Sequence, residues 1–224
     1  MIHHTQQSVL IRPETDMITT KKILVLSIVC VVILFLSLYI HVMSAPKIRN
    51  VIPTGENIIC FGDSLTYGTG ATPGMDYPSQ LSRMIEMPVI NAGVPGDTTA
   101  SALRRLQRDV LSRSPRIVLI TLGGNDLKNG VPAEVAFDNL RDIARAIQDQ
   151  GALVVIGGID IPFWGKGYGD AYEELAQELG LVLVPNIFKG IMGRPGLMSD
   201  QIHPNSAGYT KMAAMFYKGL KPYL

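Results

Sequence analysis

The sequence predicts a three-layer α/β domain, a parallel sheet wrapped by helices on both faces, behind one apolar amino-terminal helix. Three observations predict it. From Asn57 to the carboxyl end, short apolar runs alternate with amphipathic stretches of helical period. One of these runs, Arg116 to Leu122, is almost continuously apolar, as expected of a strand buried on both faces. Ahead of them, Ile23 to Val42 is nearly unbroken Ile, Leu, Val and Phe, diluted only by Ser27, Cys30, Ser37, Tyr39 and His41. The chain has 224 residues and a formal net charge of +1. That suits one globular domain plus one apolar appendage and offers no basic face to nucleic acid.

The segments follow in order. Residues 1–22 form a short tail and 23–43 a transmembrane signal anchor. Residues 44–56, with Pro46, Pro53 and Gly55, form a linker, and 57–224 the body. At ~1.5 Å per residue the apolar segment reaches across the ~30 Å hydrocarbon layer. Lys21 and Lys22 abut its amino end, while Lys47 and Arg49 lie beyond the other. This weighting favours an internal amino terminus and a body on the periplasmic or extracellular side. A cleaved signal peptide is the rival, with Met17 as a later start and Val42 and Ser44 placed for cleavage. The apolar stretch is longer than the ~7–15 residues such peptides use. Cys30 lies in that segment and Cys60 in the body, so the body has no cysteine pair to join.

In the body, Asn57–Phe61 reads as the first strand, and Gly62-Asp63-Ser64 as the turn that ends it. Residues 76–86 read as a helix and 88–91 as a second strand. Asp97 is placed to cap a helix running to Arg113. The strand 116–122 ends at Gly123-Gly124-Asn125-Asp126, and a helix opened by Pro132 runs to Gly151. Strands at 153–156 and 181–184 flank a helix over 170–179. The last helix begins at Pro204 or Asn205 and turns Tyr209, Met212, Ala213 and Phe216 inward.

Chemistry is narrowed by a histidine count. His3, His4 and His41 precede the body, which leaves His203 as the imidazole available to Ser64. Pro204 sharpens the entry from His203 into the last helix, and Asp200, three residues earlier, can fold back onto the ring. Gly93 and Asn125 sit in turns after strands, on the sheet edge that carries Ser64, where they could supply donors to an oxyanion. Each has a plainer reading alone: a capping serine, a loop histidine, a turn glycine, a turn asparagine. Their coincidence on one edge points to catalysis.

These residues resemble the SGNH hydrolases, the GDSL esterase/lipase family. The resemblance rests on Gly62-Asp63-Ser64-Leu65, on Gly93 within Asn91–Asp97, on Gly123-Gly124-Asn125-Asp126 and on Asp200-Gln201-Ile202-His203. It is nearest to the bacterial thioesterase, arylesterase and lysophospholipase branch. It implies a flavodoxin-like sheet of five parallel strands and serine hydrolysis of esters without cofactor or metal. Ser64 would be nucleophile, His203 base and Asp200 its orienting acid. The N–H groups of Ser64 and Gly93 and the Asn125 amide would be oxyanion donors. Other motifs fail: Ser64 lacks the second glycine of a nucleophile elbow, and Gly68, Gly70 and Gly74 miss the dinucleotide spacing.

An acyl channel is expected from Phe163, Trp164 and Tyr168, with Ile191, Met192 and Met198 from a later loop. The apolar anchor suggests a membrane-derived ester such as a lysophospholipid. A carbohydrate O-deacetylase or acyltransferase with the same machinery is the alternative among enzymes. A tethered binding protein with a decayed site is the alternative outside them.

Overall fold

The computed structural model describes residues 14–43, 47–161, 165 and 167–224, with side chains of the first helix described over 22–37. The chain divides into two compact units, Met1–Ala45 and Pro46–Leu224. In the first, α1 spans Glu14–Met43. Its large apolar side chains from Ile23 to Leu36 are each between 45% and 69% exposed, so none finds a partner in a core. Among the described residues no helix is long and apolar enough to cross a membrane. The side chains described in α1 stop short of the roughly 20 a span uses. The expected segment 23–43 thus lies partly outside them.

The second unit is built on five parallel strands: β1 (Asn57–Gly62), β2 (Val89–Gly93), β3 (Pro115–Thr121), β4 (Leu153–Gly157) and β5 (Val182–Val184). Their order across the sheet is β2-β1-β3-β4-β5. Ile117 to Leu122 and Leu153 to Ile156 are wholly buried. At ~1.5–3 kcal/mol per buried aliphatic side chain, these two strands carry much of the core. The crossover helices are α3 (Tyr77–Ile85), α4 (Thr99–Asp109), α6 (Ala133–Asp149) and α7 (Tyr168–Leu179), and α8 (Ser206–Leu220) closes the fold. Helix α3 packs on α8, while α4, α6 and α7 pack side by side, giving one helix layer to each face.

Two short helices were not foreseen: α2 (Ser64–Tyr67) directly after β1 and α5 (Gly124–Lys128) directly after β3. Each is too short for a hydrophobic period to register in sequence. They occupy the point where strand order reverses, the crevice at which open parallel sheets bind ligands.

The expected linker is, from Lys47 on, a strap of the body. Arg49 N–H donates to the Gly180 carbonyl (2.9 Å) and Thr54 N–H to Gly151 (3.1 Å). The N–H groups of Glu56 and Asn57 reach Ser114 at 2.9 and 3.0 Å. Asn50 Nδ2 binds the carbonyls of Gln148 and Ala152, both at 2.9 Å. These partners all precede strands, so the strap runs along the amino-terminal edge of the sheet. Pro53 and Gly55 lie within this docked segment.

Candidate active site

Ser64 opens α2, where the chain leaves β1 abruptly. The turn is held by Asp63, whose Oδ1 accepts from the Leu65 N–H (2.9 Å) and so caps the helix. The cap is thus Asp63, and the serine is left free. Beneath it, the Tyr77 hydroxyl sits 3.0 Å from both Thr66 Oγ1 and Thr121 Oγ1, tying α2 to the end of β3. Among the described residues the Ser64 N–H has no hydrogen-bond partner.

Across the crevice, the loop before α8 closes on itself. Ser199 N–H donates to the His203 carbonyl at 2.9 Å, and Asn205 caps α8 by accepting from the Gly208 N–H at 3.1 Å. Inside the loop Asp200 Oδ1 accepts from the N–H groups of Ile202 (2.8 Å) and His203 (2.7 Å), and Oδ2 lies 2.7 Å from His203 Nδ1. The bond from the ring, then those two backbone donors, hold the Asp200 carboxyl down to about 2. An ionised Asp200 places the imidazole proton on Nδ1 and leaves Nε2 as acceptor. Nε2 lies 3.1 Å from Ser64 Oγ, a residue 139 positions away in the chain. Serine, histidine and aspartate thus stand in line.

Asn125, second residue of α5, aims its amide at the same crevice. Its Nδ2 donates to Asp63 Oδ2 (3.2 Å) and to the Asp97 carbonyl (2.9 Å). Asp63 is almost fully buried. Burial, then the nearby carboxylates Asp97 and Asp126, push its carboxyl up to about 7 against the lowering effect of the Leu65 N–H.

Several expected residues stand elsewhere. Gly93 is not a free donor: its N–H is taken by Asn91 Oδ1 at 2.9 Å. What its position requires is the missing side chain, since a Cβ would lie 2.2 Å from the Tyr67 nitrogen in α2. Three residues on, Gly96 at φ +84° has an N–H without a partner among the described residues. It adjoins Asp97, whose carbonyl holds Asn125. The legible signal was the turn Val94-Pro95-Gly96. Nor is Asp97 the helix cap. Thr98 is, in a reciprocal pair with Ser101, and this frees the Asp97 carboxylate for the interior.

Tyr168 does not line the crevice: it packs edge-on against Phe137 at 5.3 Å between ring centres, inside the core. Met198 pairs with Pro204 in the histidine loop instead. Phe163 and Trp164 lie outside the described residues. The walls beside Ser64 come from Leu127, Ile159, Ile161, Phe188, Met192 and Ile202, around a slot of about 50 Å³. The larger cavity of about 680 Å³ is bordered by Asp160, Glu173, Lys189 and Lys218 and touches no member of the triad. Volume does not mark this site; geometry does.

Residues 60–211 match the GDSL-like Lipase/Acylhydrolase family. The chain belongs to that family. It is 34% identical over 160 residues to an arylesterase of Vibrio mimicus, covering 66% of this chain and 80% of that one. It is 30% identical to Thioesterase 1/protease 1/lysophospholipase L1 of Escherichia coli K12, covering 75% and 84%. The crystal structure of TesA superposes with a TM-score of 0.71 at 29% identity, covering 75% of this chain and all of that one. The protein is a serine hydrolase acting on ester bonds.

Proposed function

We propose that this SGNH hydrolase cleaves carboxylic esters or thioesters of the arylesterase, thioesterase or lysophospholipase type through an acyl-enzyme on Ser64. The observation that carries the reading is the line from Ser64 Oγ through His203 to Asp200, at 3.1 and 2.7 Å. His203 Nε2 takes the Ser64 proton as Oγ attacks the carbonyl carbon, then delivers it to the departing alcohol or thiol. Water repeats the attack with His203 again as base, releasing the acid and restoring Ser64. Negative charge on the tetrahedral oxygen meets the Ser64 N–H, the unpartnered Gly96 N–H in place of Gly93, and the Asn125 amide, which exchanges its 3.2 Å bond to Asp63 Oδ2 for the oxyanion while keeping the Asp97 carbonyl.

The test is hydrolysis of nitrophenyl esters from acetate to laurate, an acyl thioester and a lysophospholipid, with Ser64→Ala as control. Wild-type turnover that falls by ~10³ or more in the variant is expected. A Ser64→Ala enzyme as fast as wild type would overturn the reading.

A second reading, a carbohydrate O-deacetylase, is favoured by the slot of about 50 Å³, which has room for a short acyl group. Acetate preferred over every longer chain would select it.

Anchorage is part of the proposal. Helix α1 holds the enzyme in a membrane, amino terminus inside. What supports this is a helix whose described apolar side chains, from Ile23 to Leu36, are all bare, an arrangement costly in water and natural in lipid. Release of the full chain from membranes by alkaline carbonate would contradict it.

A further inference from the structure

We propose that Arg105, buried beneath the crevice, is the positioning residue that sets the oxyanion donors against the nucleophile, an inference resting on the serine-esterase reading. Arg105 lies in α4 with 9% of its surface exposed, and its guanidinium reaches four acceptors on separate segments. Nη2 donates to the Gly62 carbonyl at 2.8 Å, two residues before Ser64. Nη1 donates to the Ala92 carbonyl at 2.9 Å, near the end of β2, and to Asp109 Oδ2 at 3.1 Å. Nε donates to Asp97 Oδ2 at 2.5 Å. The guanidinium carbon stands 4.3 Å over the Phe61 ring.

The consequence lies in what those acceptors hold. Asp97 uses its carbonyl to fix the Asn125 amide at 2.9 Å, and it follows Gly96 directly. One cation thereby joins the strand end that presents Ser64, the strand end that leads into the Gly96 turn, and the residue that orients Asn125. Asp109 has a second partner in Arg108 (2.7 Å), whereas among the described residues the buried Asp97 carboxylate has only Ser101 besides Arg105. Removing the guanidinium would leave that carboxylate without its counter-charge. A lysine would keep the charge, but one ammonium cannot reach the Gly62 and Ala92 carbonyls and the Asp97 carboxylate together.

The test compares the full-length wild type with Arg105→Lys, and with Arg104→Lys as control, an exposed neighbour whose guanidinium bonds the Ala100 carbonyl of its own helix. Short nitrophenyl esters report kcat and KM separately, and circular dichroism reports folding. Arg105→Lys is expected to fold and to lose about 10²-fold in kcat with KM within roughly threefold, since a misplaced donor acts on the transition state rather than on binding. Arg104→Lys is expected to match wild type. A folded Arg105→Lys with wild-type kcat, or one whose loss lies all in KM, would overturn the proposal. If Arg105→Lys does not fold, Asp97→Asn carries the test, with a fall of about tenfold or more in kcat expected and an unchanged kcat overturning it. A wild type that hydrolyses no ester would instead overturn the parent reading.

Discussion

Asp63 carries a stability cost that pH should expose. It caps α2 from a site with 3% exposure, and its carboxyl is raised from the ordinary 3.8 to about 7. The folded protein therefore keeps a proton between about pH 4 and 7 that the unfolded chain has released. Stability from this group is fully present below pH ~4, falls as pH rises and levels off above about 7. About three units at ~1.4 kcal/mol each make about 4 kcal/mol in all, and roughly 2–3 kcal/mol of that lies between pH 5 and 8. Asp63→Asn keeps an oxygen to accept from Leu65 N–H and cannot ionise. It also turns an amide toward the Asn125 amide, which costs stability at every pH, so the change of the difference with pH is the diagnostic quantity. Urea unfolding of both proteins at pH 5 and pH 8, followed by circular dichroism, measures it. The gap should move in favour of Asp63→Asn by roughly 2–3 kcal/mol at pH 8. A gap that does not change with pH would refute the buried-charge reasoning.

Other outcomes follow from the same geometry. Asp200→Asn should lower kcat by ~10⁴ through loss of the imidazole tautomer. Because Asp200 is held near 2, its contribution to stability should be present above pH ~4 and vanish only as pH falls toward 2, as acid titration of wild type against the variant would show. Gly93→Ala would drive a methyl to 2.2 Å from backbone nitrogen of Tyr67, and thermal melts should show destabilisation of ~1–3 kcal/mol or more. Met192→Ala opens the slot, so the ratio of kcat/KM for hexanoate over acetate should rise roughly tenfold, and an unchanged ratio would remove Met192 from the acyl wall.

Much of this architecture could be read from hydrophobic period alone, because β3 and β4 are buried on both faces and the long helices of the body have one apolar stripe each. The pairing of Ser64 with His203 was legible for a different reason: one histidine in the body left no other candidate. What escaped notice depends on tertiary partners. The strap from Lys47 shows no apolar pattern, because it docks through backbone and Asn50 hydrogen bonds. The donor assigned to Gly93 failed because Asn91, two residues earlier, takes that N–H, a local turn bond that sequence does not distinguish from a free one. Tyr168 looked like a channel aromatic but joins Phe137 and Tyr172 in the core. Arg105 was hidden among ordinary helix charges, and only the fold brings Gly62, Ala92 and Asp97 to its guanidinium.

The central claim is that His203 makes the hydroxyl of Ser64 a nucleophile. Reaction of the full-length protein with a fluorophosphonate, read by intact mass and peptide mapping, tests it most directly. One phosphonyl group on Ser64 in the wild type, with labelling slowed by ~10³ or more in His203→Ala, is the expected result. Labelling elsewhere, or equally fast labelling of Ser64 without the imidazole, would contradict it.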